Sequence, residues 1–123
     1  MNSFDVEFEL FRKRVYEQET QSFYLMLLDR GMELDTLKSL FEDVDAILAL
    51  KPQPFSIHAN SPWVQAVLER VMEQEKMRAR KTCFQKLFDQ NLKFMEVMKM
   101  LGYSSVDLDL MADAIEVWQD RNL

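Results

Sequence analysis

Residues able to do acid–base, nucleophilic or soft-metal chemistry are scarce in this chain of 123 residues, which holds one histidine, His58, and one cysteine, Cys83. Imidazole titrates near neutrality, and imidazole and thiolate supply most bases, nucleophiles and soft ligands. A triad or His-rich metal centre within one chain would therefore have to be built around His58. That residue follows Pro54 and Phe55 in a proline-containing segment and reads as a loop histidine. Cys83 lies two residues beyond the cationic run that ends at Lys81, and nearby positive charge favours thiolate. It also precedes Phe84 at the head of an apolar stripe, where a thiol packs as a small hydrophobe, and that second reading is the one adopted. Asp43 and Asp45 stand two apart and diverge on a helix, and the Glu-x-x-His pattern of helical di-iron bundles does not occur. Two glycines leave no phosphate-cradling Gly-rich loop. The expectation is a non-enzymatic chain with no catalytic residues, no metal and no cofactor.

The charges and methionines remain. Net charge is −6. Residues 1–50 carry eleven acids and five bases, residues 51–102 five acids and nine bases, and residues 103–123 five acids and one base. The basic middle is concentrated in Lys76, Arg78, Arg80, Lys81 and Lys86. Four cations within 76–81 exceed what Glu73 and Glu75 neutralise along the same helix, so the run reads either as a solvated helix face paired with acidic neighbours or as an electrostatic docking patch for an acidic surface, and the docking patch is the reading carried forward. Nine methionines are present, and Met95, Met98, Met100 and Leu101 cannot share one helical stripe. A helix apolar on several sides is either central in its bundle or covered by a partner. The expected partner-binding residues are therefore Lys76, Arg78, Arg80, Lys81, Lys86, Met95, Met98 and Met100.

The elements that must position these groups are helical. Ser3 with Asp5 and Glu7 is a helix start, and Phe4, Phe8, Phe11, Val15, Phe23, Leu27 and Leu28 form one stripe at spacings of three and four. The polar stretch 17–22 interrupts it, as a break or as a turn beyond the core, and Gly31 is the natural left-handed terminator. A second helix is expected over about 35–50, through Leu37, Leu40, Phe41, Val44, Ile47 and Leu48. Pro52 and Pro54 end it. Ser61 and Pro62 begin the next, Pro62 having its φ preset for the first helical position. No Gly or Pro then intervenes until Gly102. One helix over that span would reach about 60 Å at 1.5 Å per residue, so it either bends near 77–83 or projects. Val64, Val67, Leu68 and Val71 make one stripe; Phe84, Leu87, Phe88, Met95, Val97, Met98 and Leu101 make another. Ser104 or Ser105 caps a last helix carrying Val106, Leu110, Ala114, Val117 and Trp118 inward. No internal repeat and no alternating strand pattern is evident.

The expected fold is all-α: a compact bundle of four to five helices forming one domain over 1–123, with a long or bent helix spanning about 62–101. The acidic opening residues do not resemble a secretory signal, and no apolar run is long enough to span a bilayer. A soluble, cytoplasmic protein without membrane contact is expected. By elimination, the reading is a protein-binding module (a small helical regulator, adaptor or chaperone) whose partner is another protein or a second copy in a homodimer. The alternative is a nucleic-acid-binding transcriptional regulator using a helix-turn-helix-like C-terminal unit or the basic run 76–86. Electrostatics disfavour it: the would-be recognition helix presents Asp107, Asp109, Asp113, Glu116 and Asp120, and phosphate binding needs the opposite sign.

Overall fold

The computed structural model describes residues 3–51, 61–102 and 108–122, with side chains from Asp5 onward. The chain is all-α, and the described residues form six helices: α1 (Ser3–Asp29), α2 (Leu34–Leu40), α3 (Val44–Leu48), α4 (Pro62–Asp89), α5 (Phe94–Leu101) and α6 (Leu108–Arg121). The helix count exceeds the expected four to five because two segments read as single helices are each divided. Ser104, Ser105, Val106 and Asp107 lie outside the described residues, as does His58.

α1 runs unbroken through the polar stretch 17–22, where Glu19, Thr20 and Gln21 each have a partner. Thr20 Oγ1 donates to the Tyr16 carbonyl at 2.9 Å, the Gln21 amide donates to the carbonyls of Ile47 (3.1 Å) and Leu50 (2.9 Å), and Glu19 faces Arg80. Nor is α4 broken at 77–83. Leu68, Glu75, Ala79, Cys83 and Leu87 are buried along one stripe, so the helix keeps a continuous contact face through its most charged turns. The interruption falls at 90–93 instead, where Asn91 takes a positive φ of 64°. At Gly31 φ is 104°, a conformation that an L side chain resists. Pro62 occupies the first turn of α4 as expected, while Ser61 precedes it without a side-chain capping bond.

The expected helix 35–50 is divided at Phe41, whose backbone is extended (φ −132°, ψ 136°). The division lets both pieces face α1: Phe41 packs on Tyr24 with ring centroids 4.6 Å apart, and Tyr24 Oη donates to Asp43 Oδ1 at 2.6 Å. Val44 and Ile47 are buried just beyond.

Contacts between α1 and α4 rise together in number: Arg12 with Glu75, Glu19 with Arg80, Phe23 with Phe84. The two long helices are therefore parallel, each about 40 Å long at 1.5 Å per residue. Their C-terminal halves join a large core with α2, α3, α5 and α6, centred on Tyr24, Leu27, Leu37, Phe84, Leu87, Val97 and Leu101. Their N-terminal halves share a separate, smaller cluster of Phe11, Val15 and Leu68, edged by Phe8, Val64, Val71 and Met72, to which only α1 and α4 contribute among the described residues. A structural repeat emerges that residue identities conceal. Helix, left-handed turn, extended residue and short helix recur at a spacing of 60: α1, Gly31, Glu33 and α2 against α4, Asn91, Lys93 and α5. Between 20–41 and 80–101 only Leu27 with Leu87 and Asp29 with Asp89 are identical.

Candidate protein-binding surface

The cationic run lies on α4 where that helix passes between α1 and α6, and its side chains find acids of the same chain. Arg80 is mostly buried; its Nε donates to Asp113 Oδ2 at 2.7 Å and its Nη1 lies 3.4 Å from Glu19 Oε1. Burial alone would weaken its hold on the proton, but the bond to Asp113 keeps the guanidinium above its ordinary pKa. Lys81 bonds Glu116, and Lys76 lies 3.8 Å from Glu73. Arg78 meets Glu75 at 2.7 Å and stacks its guanidinium 4.2 Å from the centre of the Tyr16 ring. The premise that nearby acids cannot neutralise the run is thus not met: Glu19, Asp113 and Glu116 arrive from α1 and α6. Lys86 is half-buried beside Glu42 and Asp89.

Two buried acids of this network lie beyond the expected set. Asp113, read from sequence as exposed, is buried against Arg80. Glu75 sits in the α1–α4 seam with its side chain only 5% exposed, held by Arg12 at 2.8 Å and by Arg78. Desolvation would raise its pKa, but the hydrogen bonds from Arg78 and Arg12 outweigh that and hold the carboxyl below its ordinary range. A signal for Glu75 existed, since positions 64, 68, 71, 75, 79 and 83 continue one stripe at spacings of three and four.

The methionines divide. Met98 is buried and Met100 packs partly against the core, whereas Met95 is 56% exposed. Val67, assigned inward, is exposed as well. Cys83 is buried beside Tyr24 and Phe84; burial pushes its thiol up to about 12, against the opposing influence of Lys86. It is a packed thiol rather than a poised nucleophile. Among the described residues no group of three or more His, Cys, Asp or Glu could hold a metal ion, and no helix is long and apolar enough to cross a membrane.

Uncovered apolar surface lies elsewhere. On α1, Val6 and Leu10 point away from the Phe8, Phe11 and Val15 stripe and are exposed. On α4, Trp63 is 75% exposed, with Val67 one turn on. Leu10 also lines a cleft of about 260 Å³ with Leu50, rimmed by Lys13, Arg14 and Lys51. On α6, Leu108, Ala112 and Ile115 face outward, with Leu108 80% exposed. Comparison with protein-family models, with curated protein sequences and with solved structures returns no match to this chain.

Proposed function

We propose that this protein is a non-enzymatic protein-binding module that works through helix–helix contacts. The observation that carries the reading is the paired N-terminal half of α1 and α4, which buries one stripe of each helix against the other and leaves Val6, Leu10, Trp63 and Val67 outward. A helix with apolar residues on two faces has a second surface to bury. The docking role first assigned to Lys76, Arg78, Arg80 and Lys81 passes to this apolar surface, because those cations are engaged with acids of their own chain. The same engagement lowers the charge they offer to phosphate, which favours a protein partner over a nucleic acid.

A photo-crosslinking residue placed at Leu10 or Trp63 in the producing cell tests the reading. The expected result is a covalent adduct with a polypeptide at each, and none when the crosslinker replaces the exposed Gln90. Adducts no more abundant at Leu10 and Trp63 than at Gln90 would refute the proposal.

A further inference from the structure

We propose that the Leu10–Leu50 cleft receives an acidic segment of a separate polypeptide, with an aliphatic side chain seated on its floor and carboxylates on its rim. The proposal rests on the protein-binding reading and names the chemistry of the partner. The cleft lies where the chain beyond α3 meets α1. One wall is held in place by the Gln21 amide, which donates to the carbonyls of Ile47 and Leu50 at 3.1 and 2.9 Å. The site therefore stands formed before a partner arrives, and little binding free energy goes into ordering it. Leu10, which is exposed, and Leu50, which is half-buried, make the apolar floor. At about 260 Å³ the cleft is smaller than the roughly 300–1,000 Å³ of sites that enclose a whole small molecule, and it suits a side chain of a polypeptide lying across it.

Charge sets the chemistry of the occupant. Lys13, Arg14 and Lys51 line the cleft with Glu17 as the one acid among the described residues, an excess of two positive charges in a chain of net −6. The Lys13–Glu17 pair is long, at 3.9 Å, and Arg14 and Lys51, both exposed, make no ion pair among the described residues. The cations of the run 76–81 differ in this respect, each lying against an acid of its own chain. Arg14 and Lys51 remain available to carboxylates of a partner. Segment 52–60, next along the chain from Lys51, contains no acid, and Asp113 and Glu116 of α6 are already held by Arg80 and Lys81. An apolar floor offers nothing to a phosphate backbone, and a concave site does not insert into a lipid surface as a protruding apolar face does. An acidic polypeptide fits the floor and the rim together.

The test pans a displayed library of random dodecapeptides against the full chain and measures binding of the most enriched peptide, fluorescently labelled, by anisotropy. Enriched peptides should carry Asp or Glu on both sides of a Leu, Ile, Val or Met. Arg14→Glu and Lys51→Glu should each weaken binding of that peptide about fivefold or more, with the loss largest at low salt, because rim charges act through encounter and repulsion. Leu10→Asn should weaken it about tenfold at every salt concentration, because the floor acts through apolar burial. Lys99→Glu changes net charge equally at an exposed cation of α5 and should leave binding within about twofold at physiological salt. All four substitutions fall at exposed positions, and far-UV circular dichroism should be unchanged by each. A selection that yields no peptide discriminating wild type from Arg14→Glu, enriched peptides that are neutral or basic, or an equal loss with Lys99→Glu would overturn the proposal. So would binding to phosphatidylserine vesicles, or a wild-type dimer, that Arg14→Glu abolishes, since these put a membrane or a second copy in the cleft. If the proposal falls in any of these ways, the adducts at Leu10 and Trp63 still decide whether the binding-module reading stands.

Discussion

Glu75 shows how a single residue decides between competing effects. Its carboxylate is buried in a seam otherwise lined by Phe11, Val15 and Leu68, and two arginines neutralise it. A buried ion pair rarely beats a well-packed hydrophobic replacement, but removing one partner and leaving the other charge buried costs about 3–5 kcal/mol. Here the asymmetry is strong, because Arg12 and Arg78 reach solvent while Glu75 does not. Glu75→Leu should therefore change stability by less than about 1.5 kcal/mol, whereas Arg12→Ala with Arg78→Ala should cost about 3 kcal/mol at neutral pH. The pH dependence separates them. The folded carboxyl sits below its ordinary value, so the unfolded chain binds the proton more readily; the contribution is present above the ordinary carboxylate range and is lost as pH falls through the folded value. Urea unfolding across the acid range should show a shallower acid limb for Glu75→Leu. Equal acid sensitivity in that variant and the wild type would contradict the account.

At the scale of elements, the two left-handed turns set the lengths of the long helices. A Cβ added at Gly31 meets nothing within 4 Å, so Gly31→Ala has only the conformational penalty of φ 104° to bear. That substitution should destabilise by about 1–2 kcal/mol. At the matching position Asn91 already occupies φ 64° without glycine, and Asn91→Gly should change stability by less than about 1 kcal/mol in either direction, strain relief opposing greater unfolded-state entropy. Urea midpoints of the two variants measure the contrast. Equal effects at both turns would count against their having different conformational cost. Much of this layer was readable in advance: Gly31, Pro62 and Gly102 fall at or just beyond helix ends as their backbone preferences require. The divisions at Phe41 and at 90–93 were not, because both stretches are rich in helix-compatible residues. Phe41 leaves the helix to pack on Tyr24 and to bring Asp43 to its hydroxyl, a gain that no local propensity records.

Across the whole molecule, stability is distributed unevenly along the parallel pair. The C-terminal halves of α1 and α4 are packed into a core fed by all six described helices, while among the described residues the smaller cluster of their N-terminal halves draws on α1 and α4 alone. Local opening follows the density of buried apolar contact. Amide hydrogen exchange in the monomer should therefore be faster over 8–14 and 66–74 than over 21–28 and 81–88. Addition of a bound partner should slow the first pair selectively. Uniform protection along both helices would show that the two-helix portion opens only with the whole fold.

The sequence carried the helical class, the periodic stripes and most inward residues, because these depend on backbone preference and on spacings of three and four within one segment. It also placed the lone Cys83 as a packed thiol. The tertiary structure decided which charges are spent. Arg12 finds Glu75 sixty-three positions away, Arg80 finds Asp113 thirty-three positions away, and Lys81 finds Glu116. Charge counted along a single helix cannot reveal such pairs, because the neutralising carboxylate belongs to another element. The parallel direction of α1 and α4 and their 60-residue repeat were hidden for a related reason: burial depends on the size and apolarity of the residues filling the seam, and many pairings satisfy it, so Phe23 and Cys83 or Tyr24 and Phe84 can hold equivalent places without sequence identity.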